Sequence, residues 1–437
     1  MGLKKGSKIY FPNEKVKVRV GNVIGRGGQA VVWKAGKYVV KEFSPVLNQR
    51  GRRGFSAKHI MQRLCYLRDL HLDRKNGLIV PPIDVIQQGD VVIALYRYVD
   101  GVPLEKVIEG NCGTRLSLLE ALQIAYDIAS CLDECERCGI SHGDISANNV
   151  LVVLVSPNGG SYWVPYLIDI DNFVALNSSV PHPTHYGQHL FMAPEIWHSA
   201  LKGQERYPDL FSDRYSLAVL LHWLLLLRHP HWRVICSGKN FRSIKELGAQ
   251  LLQEMEAGWA DDPYGNGTTE PNGIGGYPVS VLDYQLITLL RSGLSTDPGS
   301  RPSAGTWKKA LEQSIRFTAP CPRCNALNIV DALKKCCWSC KTPLPDPALK
   351  LPSGLKRLPR SVVTIGRDLL GGLPYISRQQ LRVRALPLLL QVCPLGRNPV
   401  YLVTAKKRVR MSHKHWYHLR IGDVMDVCGV EVRVVAA

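Results

Sequence analysis

The stretch Ile140-Ser141-His142-Gly143-Asp144-Ile145-Ser146-Ala147-Asn148-Asn149-Val150-Leu151-Val152 sets small and polar residues directly before an apolar, β-branched run. Such a pattern reads as a loop opening into a strand. Asp144 and Asn149 lie five apart, a spacing at which one loop turns both side chains toward a single phosphate and its metal. Downstream, Leu167-Ile168-Asp169-Ile170-Asp171 puts another carboxylate just after a second apolar strand. Hard cations such as Mg²⁺ take carboxylate and amide oxygens. Any one Asp or Asn in a loop is ordinarily a turn or a cap. The ordered set is what carries a reading of chemistry at a phosphate.

Toward the N-terminus, Gly21-Asn22-Val23-Ile24-Gly25-Arg26-Gly27-Gly28-Gln29-Ala30-Val31-Val32-Trp33 places glycines between two β-branched runs. Backbone amides approach a triphosphate closely only where side chains are absent. Alone, such a cluster is as often a plain hairpin turn. It gains weight from Tyr38-Val39-Val40-Lys41-Glu42-Phe43, a short strand that returns Lys41 to the side of the loop.

Gly25, Gly27 and Gly28, then Lys41, then His142-x-Asp144-x-x-x-x-Asn149, then Asp169, in that order, resemble the protein kinase family. The resemblance implies a two-lobed fold over residues 8–316. It implies ATP as cofactor, with the glycines and Lys41 at its phosphates, and Asn149 and Asp169 holding Mg²⁺. Asp144 would accept or orient the proton of the attacking hydroxyl. By the same resemblance Met192-Ala193-Pro194-Glu195 closes the loop that runs from Asp169, and Glu195 forms a buried ion pair with Arg301. Val99 to Leu104 reads as the hinge between lobes. Leu116 to Cys138 has helical periodicity and feeds the catalytic loop.

The chain also departs from the family pattern. The lysine's usual partner is a Glu on the next helix, yet Ser44 to Arg68 contains no acidic residue, and Gln62 is the nearest polar stand-in. Ala30 replaces the usual third glycine, and Gly143 stands where many kinases carry an Arg that requires a loop phosphate. Activity is therefore expected without strict dependence on that phosphate. Ser146 replaces the Lys common in Ser/Thr kinases, Gln188 replaces a usual Thr, and Asp171 a usual Gly. His-Gly-Asp also occurs in small-molecule kinases. Ser178, Ser179, Thr184 and Tyr186 are the loop hydroxyls that self-phosphorylation could reach. Gly258 to Pro278 reads as a surface insertion.

After the last kinase-like helix come Cys321-Pro322-Arg323-Cys324 and Cys337-Trp338-Ser339-Cys340. Each C-x-x-C turns two thiolates to one tetrahedral ion, so Cys321, Cys324, Cys337 and Cys340 read as a structural zinc ribbon over 317–346, with Cys336 spare. A redox dithiol is the alternative. From 350 to 437 short β-branched runs alternate with Gly and Pro turns, hence an all-β module. Val363-Thr364-Ile365-Gly366-Arg367, Tyr375-Ile376-Ser377-Arg378-Gln379-Gln380 and Leu395-Gly396-Arg397-Asn398 resemble a forkhead-associated domain, a sandwich whose loops bind phosphothreonine. The resemblance gives Arg367, Ser377 and Arg378 to the phosphate and Asn398 to the peptide backbone. Gln380 stands where that family usually has a loop-supporting His.

The fold class read from the whole is therefore multidomain α+β. Thirteen cysteines, mostly scattered among apolar residues, suit a reducing, cytoplasmic setting. No apolar run approaches the ~20 residues of a membrane span. Lys350 to Ala437 holds 16 Lys and Arg against 4 Asp and Glu, so +12 of the chain's +19 net charge lies there. That charge is either a solvated face or a steering field for acidic or phosphorylated partners, with sparse aromatics disfavouring nucleic acid. The best reading is a bacterial Ser/Thr protein kinase, and the order of its modules resembles the kinase of bacterial kinase–phosphatase–von Willebrand A triads, which implies a PP2C-type phosphatase and a von Willebrand A protein as partners. A pseudokinase scaffold and a small-molecule phosphotransferase are the alternatives.

Overall fold

The computed structural model describes residues 2–27, 30–43, 56–113, 116–156, 160–176, 180–183, 187–237, 241–263, 276–404 and 407–437. These form two compact units, one of Met1–Tyr277 with Thr288–Lys309 and one of Pro278–Ile287 with Ala310–Ala437.

The first unit opens with a hairpin, β1 (Lys8–Phe11) and β2 (Val16–Arg19), whose alternate residues Ile9, Phe11 and Val18 are buried. A five-stranded antiparallel sheet follows in the order β3 (Val23–Arg26), β4 (Ala30–Ala35), β5 (Tyr38–Phe43), β7 (Val91–Arg97), β6 (Asp84–Gln88). Asp84 is fully buried and accepts hydrogen bonds from Asn13 N, Asn13 Nδ2 and Glu14 N, which ties the hairpin turn to the sheet. Helix α1 (Ala57–Asp69) is capped by the Ser56 hydroxyl and packs on the sheet through Leu64.

Beyond the hinge, helix Leu118–Arg137 begins at a reciprocal cap between Ser117 and Glu120. Its apolar residues recur every three to four positions, as the sequence predicts, and bury one face. Helix Leu210–Leu226 is buried almost all round, which accounts for its long apolar run. Between them, strand Val150–Val155 pairs with Tyr162–Leu167 and with Val102–Pro103. This sheet carries the quoted loop at one end and Asp169 at the other strand's exit. Within the stretch read as a surface insertion, Ala260, Asp261 and Asp262 are in fact buried. Asp261 pairs with Arg228 and lies 3.3 Å from His222 Nε2, and Asp262 pairs with Arg291, so each acid has an arginine inside the fold. Residues 264–275 of that stretch lie outside the described ones.

In the second unit, Thr318–Pro320 pairs with Leu327–Ile329 beside the four cysteines. Two antiparallel sheets follow. One is six-stranded and runs Gly354–Arg357, Pro347–Leu351, Val430–Ala436, Val424–Val427, Val400–Val403, Arg408–Met411. The other is four-stranded and runs Val363–Ile365, Leu381–Leu386, Leu389–Pro394, Tyr417–Arg420. Their inward residues share one core, including Ile365, Leu381, Val383, Met425 and Val432. A smaller core joins the cysteine segment to the hairpin tip: Ala319, Cys321, Cys337 and Leu344 pack with Leu386, Leu388 and Leu389. No helix among the described residues is long and apolar enough to cross a membrane.

Candidate active site

The glycine cluster forms the β3–β4 hairpin, with Gly27 N donating to Ala30 O at 3.0 Å. Gly28 lies outside the described residues, as do Ser178, Ser179, Thr184 and Tyr186. Register pairing sets Lys41 of β5 opposite Val32 and Ala94, so its side chain projects beneath the hairpin. A cavity of about 400 Å³ is lined there by Gly25, Gly27, Ala30, Lys41, Asp144, Asp169 and Asp171, among others. That volume suits a nucleotide-sized ligand.

The quoted loop forms the cavity's floor. Its backbone is fixed from below by Asp213, whose carboxylate accepts from His142 N and Gly143 N. Burial pushes the Asp213 carboxyl up to about 7, against the pull of those two amides. Gly143 has φ +77°, and a Cβ there would meet Asn172 O at 2.6 Å. The residue is a glycine because an arginine would not fit this backbone. Asp144 Oδ1 accepts from Gln188 N at 3.0 Å, so the backbone of the noted Gln188, not its side chain, orients the carboxylate. Asn149 is buried, and its Nδ2 donates to Asp144 O at 2.8 Å, which turns the amide oxygen the other way. Sequence order thus becomes proximity: Asp144 and Asn149 are linked through one loop, and Asp144, Lys41 and Asp169 line one cavity.

Asp169 takes up φ +57°, ψ +34°, a left-handed conformation that a non-glycine residue adopts at a cost and that recurs at functional sites. Lys41 Nζ donates to the carboxylates of both Asp169 and Asp171. Burial works against the Lys41 charge, but the two carboxylates outweigh it and raise its pKa above the usual lysine value. Lys41 in turn holds the Asp169 carboxyl below the usual range. The expectation that Gln62 stands in for the missing helix acid is corrected: Gln62 is exposed, and the buried polar residue of α1 is Arg63. Tyr96, Arg63 and Asp213 are site residues that sequence reading did not identify, and Asp171 was noted there only as a departure from the family pattern.

The donor set fits a magnesium nucleotide. Asp169 and Asn149 offer a carboxylate and an amide oxygen, Lys41 offers a cation, and Gly25 and Gly27 leave the roof open for phosphates. The expected ion pair outside the cavity is also present. Arg301 meets Glu195 bidentately at 2.7 and 2.8 Å, and it also donates to Phe211 O and Ser295 O.

A cleft between a glycine-hairpin sheet and a helical lobe, holding a lysine and oxygen ligands, defines a phosphoryl-transfer site. Residues 18–314 match the protein kinase domain model, and the chain belongs to that family. No curated protein matches the chain significantly.

The four cysteines converge as their spacing predicts. Their sulfur atoms lie within 4.8 Å of one another, with Cys321–Cys340 and Cys324–Cys337 at 3.7 Å. Tetrahedral zinc with ~2.3 Å bonds to sulfur sets its ligands about 3.8 Å apart, so the cluster fits the ion. The two knuckles match: Asn325 N donates to Cys321 O and Lys341 N to Cys337 O, with Asn325 and Lys341 both at positive φ. Cys336 is exposed and outside the cluster.

The C-terminal candidates gather on loops at one edge of the four-stranded sheet. Arg367 Nε donates to Ile376 O at 2.8 Å, Ser377 Oγ accepts from Gln379 N at 3.2 Å, and Arg378 is exposed. Asn398 Nδ2 donates to Tyr375 O and ties the two loops together. Gln380 is fully buried beneath them. Its Oε1 accepts from Ser377 N and its Nε2 donates to Asn398 O, so a glutamine supports both loops. Gly396 leaves room for it: a Cβ there would lie 2.1 Å from Gln380 Oε1.

Proposed function

We propose that the protein is a Mg-ATP-dependent protein-serine/threonine kinase of bacterial phospho-signalling, acting in the cytoplasm, with a C-terminal forkhead-associated module that binds phosphothreonine. The observation that carries the kinase part is the meeting of Lys41 and Asp169 in one cavity with Asp144, whose loop Asn149 braces by a hydrogen bond to the Asp144 carbonyl. Bound Mg-ATP would supply the transferable phosphoryl group and the cation that neutralises its charge. Lys41 and the β3–β4 hairpin would bind the phosphates, Asn149 and Asp169 would hold the metal, and Asp144 would take or orient the hydroxyl proton. Gln188 N holds Asp144 by hydrogen bond, which favours a fixed carboxylate over a mobile one.

The second module is supported by Arg367, Ser377 and Arg378 on loops that Gln380 braces. Charge-assisted bonds from two guanidinium groups suit a dianionic phosphate. The C-terminal excess of basic residues would steer such partners, and a PP2C-type phosphatase and a von Willebrand A protein fit the proposed setting. Zinc at the four cysteines would be structural. The test is transfer from Mg-ATP followed by identification of the modified residue. Phosphoserine or phosphothreonine is expected, on the chain itself and on a generic protein substrate. Phosphotyrosine alone, or phosphorylation of small hydroxyl compounds but not protein, would contradict the proposal.

A further inference from the structure

The segment Ser44–Arg68 contains no acid. Among the described residues, the inner face of α1 is Ala57, Arg63, Leu64 and Leu67. Arg63 is not turned toward Lys41. It donates to Asp171 O at 2.8 Å, Phe173 O at 2.6 Å and Pro181 O, and its guanidinium stacks on the Phe173 ring. Lys41 nevertheless has two carboxylates, on residues two apart in one short turn. They are not equivalent. The Asp169 side chain is 46% exposed toward the cavity, whereas that of Asp171 is 11% exposed. The second Asp171 oxygen accepts from the buried Tyr96 hydroxyl, on the strand beside Lys41. Asp171 is therefore held on both oxygens and at its backbone carbonyl, and of the two carboxylates Asp169 is the one left open to the cavity.

We infer that Asp171 is the anchor of Lys41, a positioning residue that replaces from the metal-binding turn the acid that α1 lacks. The two departures from the family pattern, no Glu on the helix and Asp in place of Gly, then compensate each other. With Asp169 given to a metal, Asp171 retains the lysine. The lysine and the metal carboxylate are set by one turn, and α1 is free of that task. Its Arg63 fixes the backbone of the segment after Asp169 instead. This inference rests on the kinase reading.

The test is a double-mutant cycle of Lys41→Met, Asp171→Asn and both together, with Asp171→Glu as the conservative variant. Two readouts are taken, kcat and KM for phosphoryl transfer, and thermal melting of the nucleotide-free protein. Asp171→Asn is expected to lower kcat roughly a hundredfold with a smaller change in KM. The double variant should transfer no worse than Lys41→Met, and Asp171→Glu should recover part of the loss. In melting, the double variant should lose less than the sum of the single losses. Additive losses in either cycle, or wild-type turnover in Asp171→Asn, would overturn the inference. Absence of transfer by the wild-type protein bears on the kinase reading alone, and the melting cycle then decides the pair by itself.

Discussion

Asp171 was visible in the sequence as an oddity and became intelligible only with its neighbours in space. Asp144, Asn149 and Asp169 were legible because their chemistry is tied to local pattern, five residues in one loop and then the exit of a second strand, and Lys41 because it follows the glycine cluster on the next strand. The partner of Lys41 lies 130 residues away, so no local period announces it. Had the missing helix acid and the extra turn acid been read as one exchange of charge, the sequence alone would have suggested the pair. Arg301 and Glu195 show the opposite case, a distant pair found through motifs at both ends. The Arg301 side chain is fully buried, and removing one partner strands a charge. Glu195→Ala is expected to cost about 3–5 kcal/mol in denaturant unfolding. Pairing it with Arg301→Met should recover part of that loss, since the uncompensated charge is then gone.

At the scale of elements, the helix read from periodicity over Leu116 to Cys138 forms within two residues of its expected ends, as Leu118–Arg137. The cysteine knuckles were equally legible, because C-x-x-C is a local geometric requirement. What spacing could not convey is that the cysteine segment shares a core with the hairpin tip at Leu386–Leu389. Metal analysis is expected to find one zinc per chain. Chelation, or Cys337→Ser, should lower the melting point of the β-rich unit as well as release the metal, because Cys337 is buried in that shared core. On the loops, Gln380 performs the bracing that its neutral amide allows, accepting on one side and donating on the other. A phosphothreonine peptide is expected to bind, and Arg378→Ala should weaken it about 10- to 100-fold, the worth of one charged hydrogen bond. Calorimetry with the unphosphorylated peptide is the control.

For the whole molecule, composition gave the charge asymmetry but not its meaning. The densest basic run, residues 406–410, is in part an edge strand, Arg408–Met411, where Arg408 pairs with Asp426 and stacks on Tyr401. Lys406 of that run lies outside the described residues. The helical lobe carries a different liability. His222 and His229 are buried, and burial foremost holds both pKa values below the ordinary 6.5. Above that pH both states are neutral there. As pH falls below 6.5, the unfolded chain takes up protons that the folded one refuses, so stability declines. Each histidine then costs about 1.4 kcal/mol per pH unit until it titrates in the fold. Urea unfolding at pH 7.5 and 5.5 should show this loss, with a shallower slope in His229→Gln.

The central claim is that Asp144 serves phosphoryl transfer in the cleft that Lys41 and Asp169 line. The most direct measurement is transfer of labelled γ-phosphate from Mg-ATP to the chain and to a generic protein substrate, by wild type and by Asp144→Asn, with nucleotide binding followed in parallel. The account predicts labelling by the wild type and a fall of about 10²- to 10⁴-fold in the variant, with nucleotide still bound. Undiminished transfer by the variant, or a wild type that binds nucleotide and transfers nothing, would contradict it.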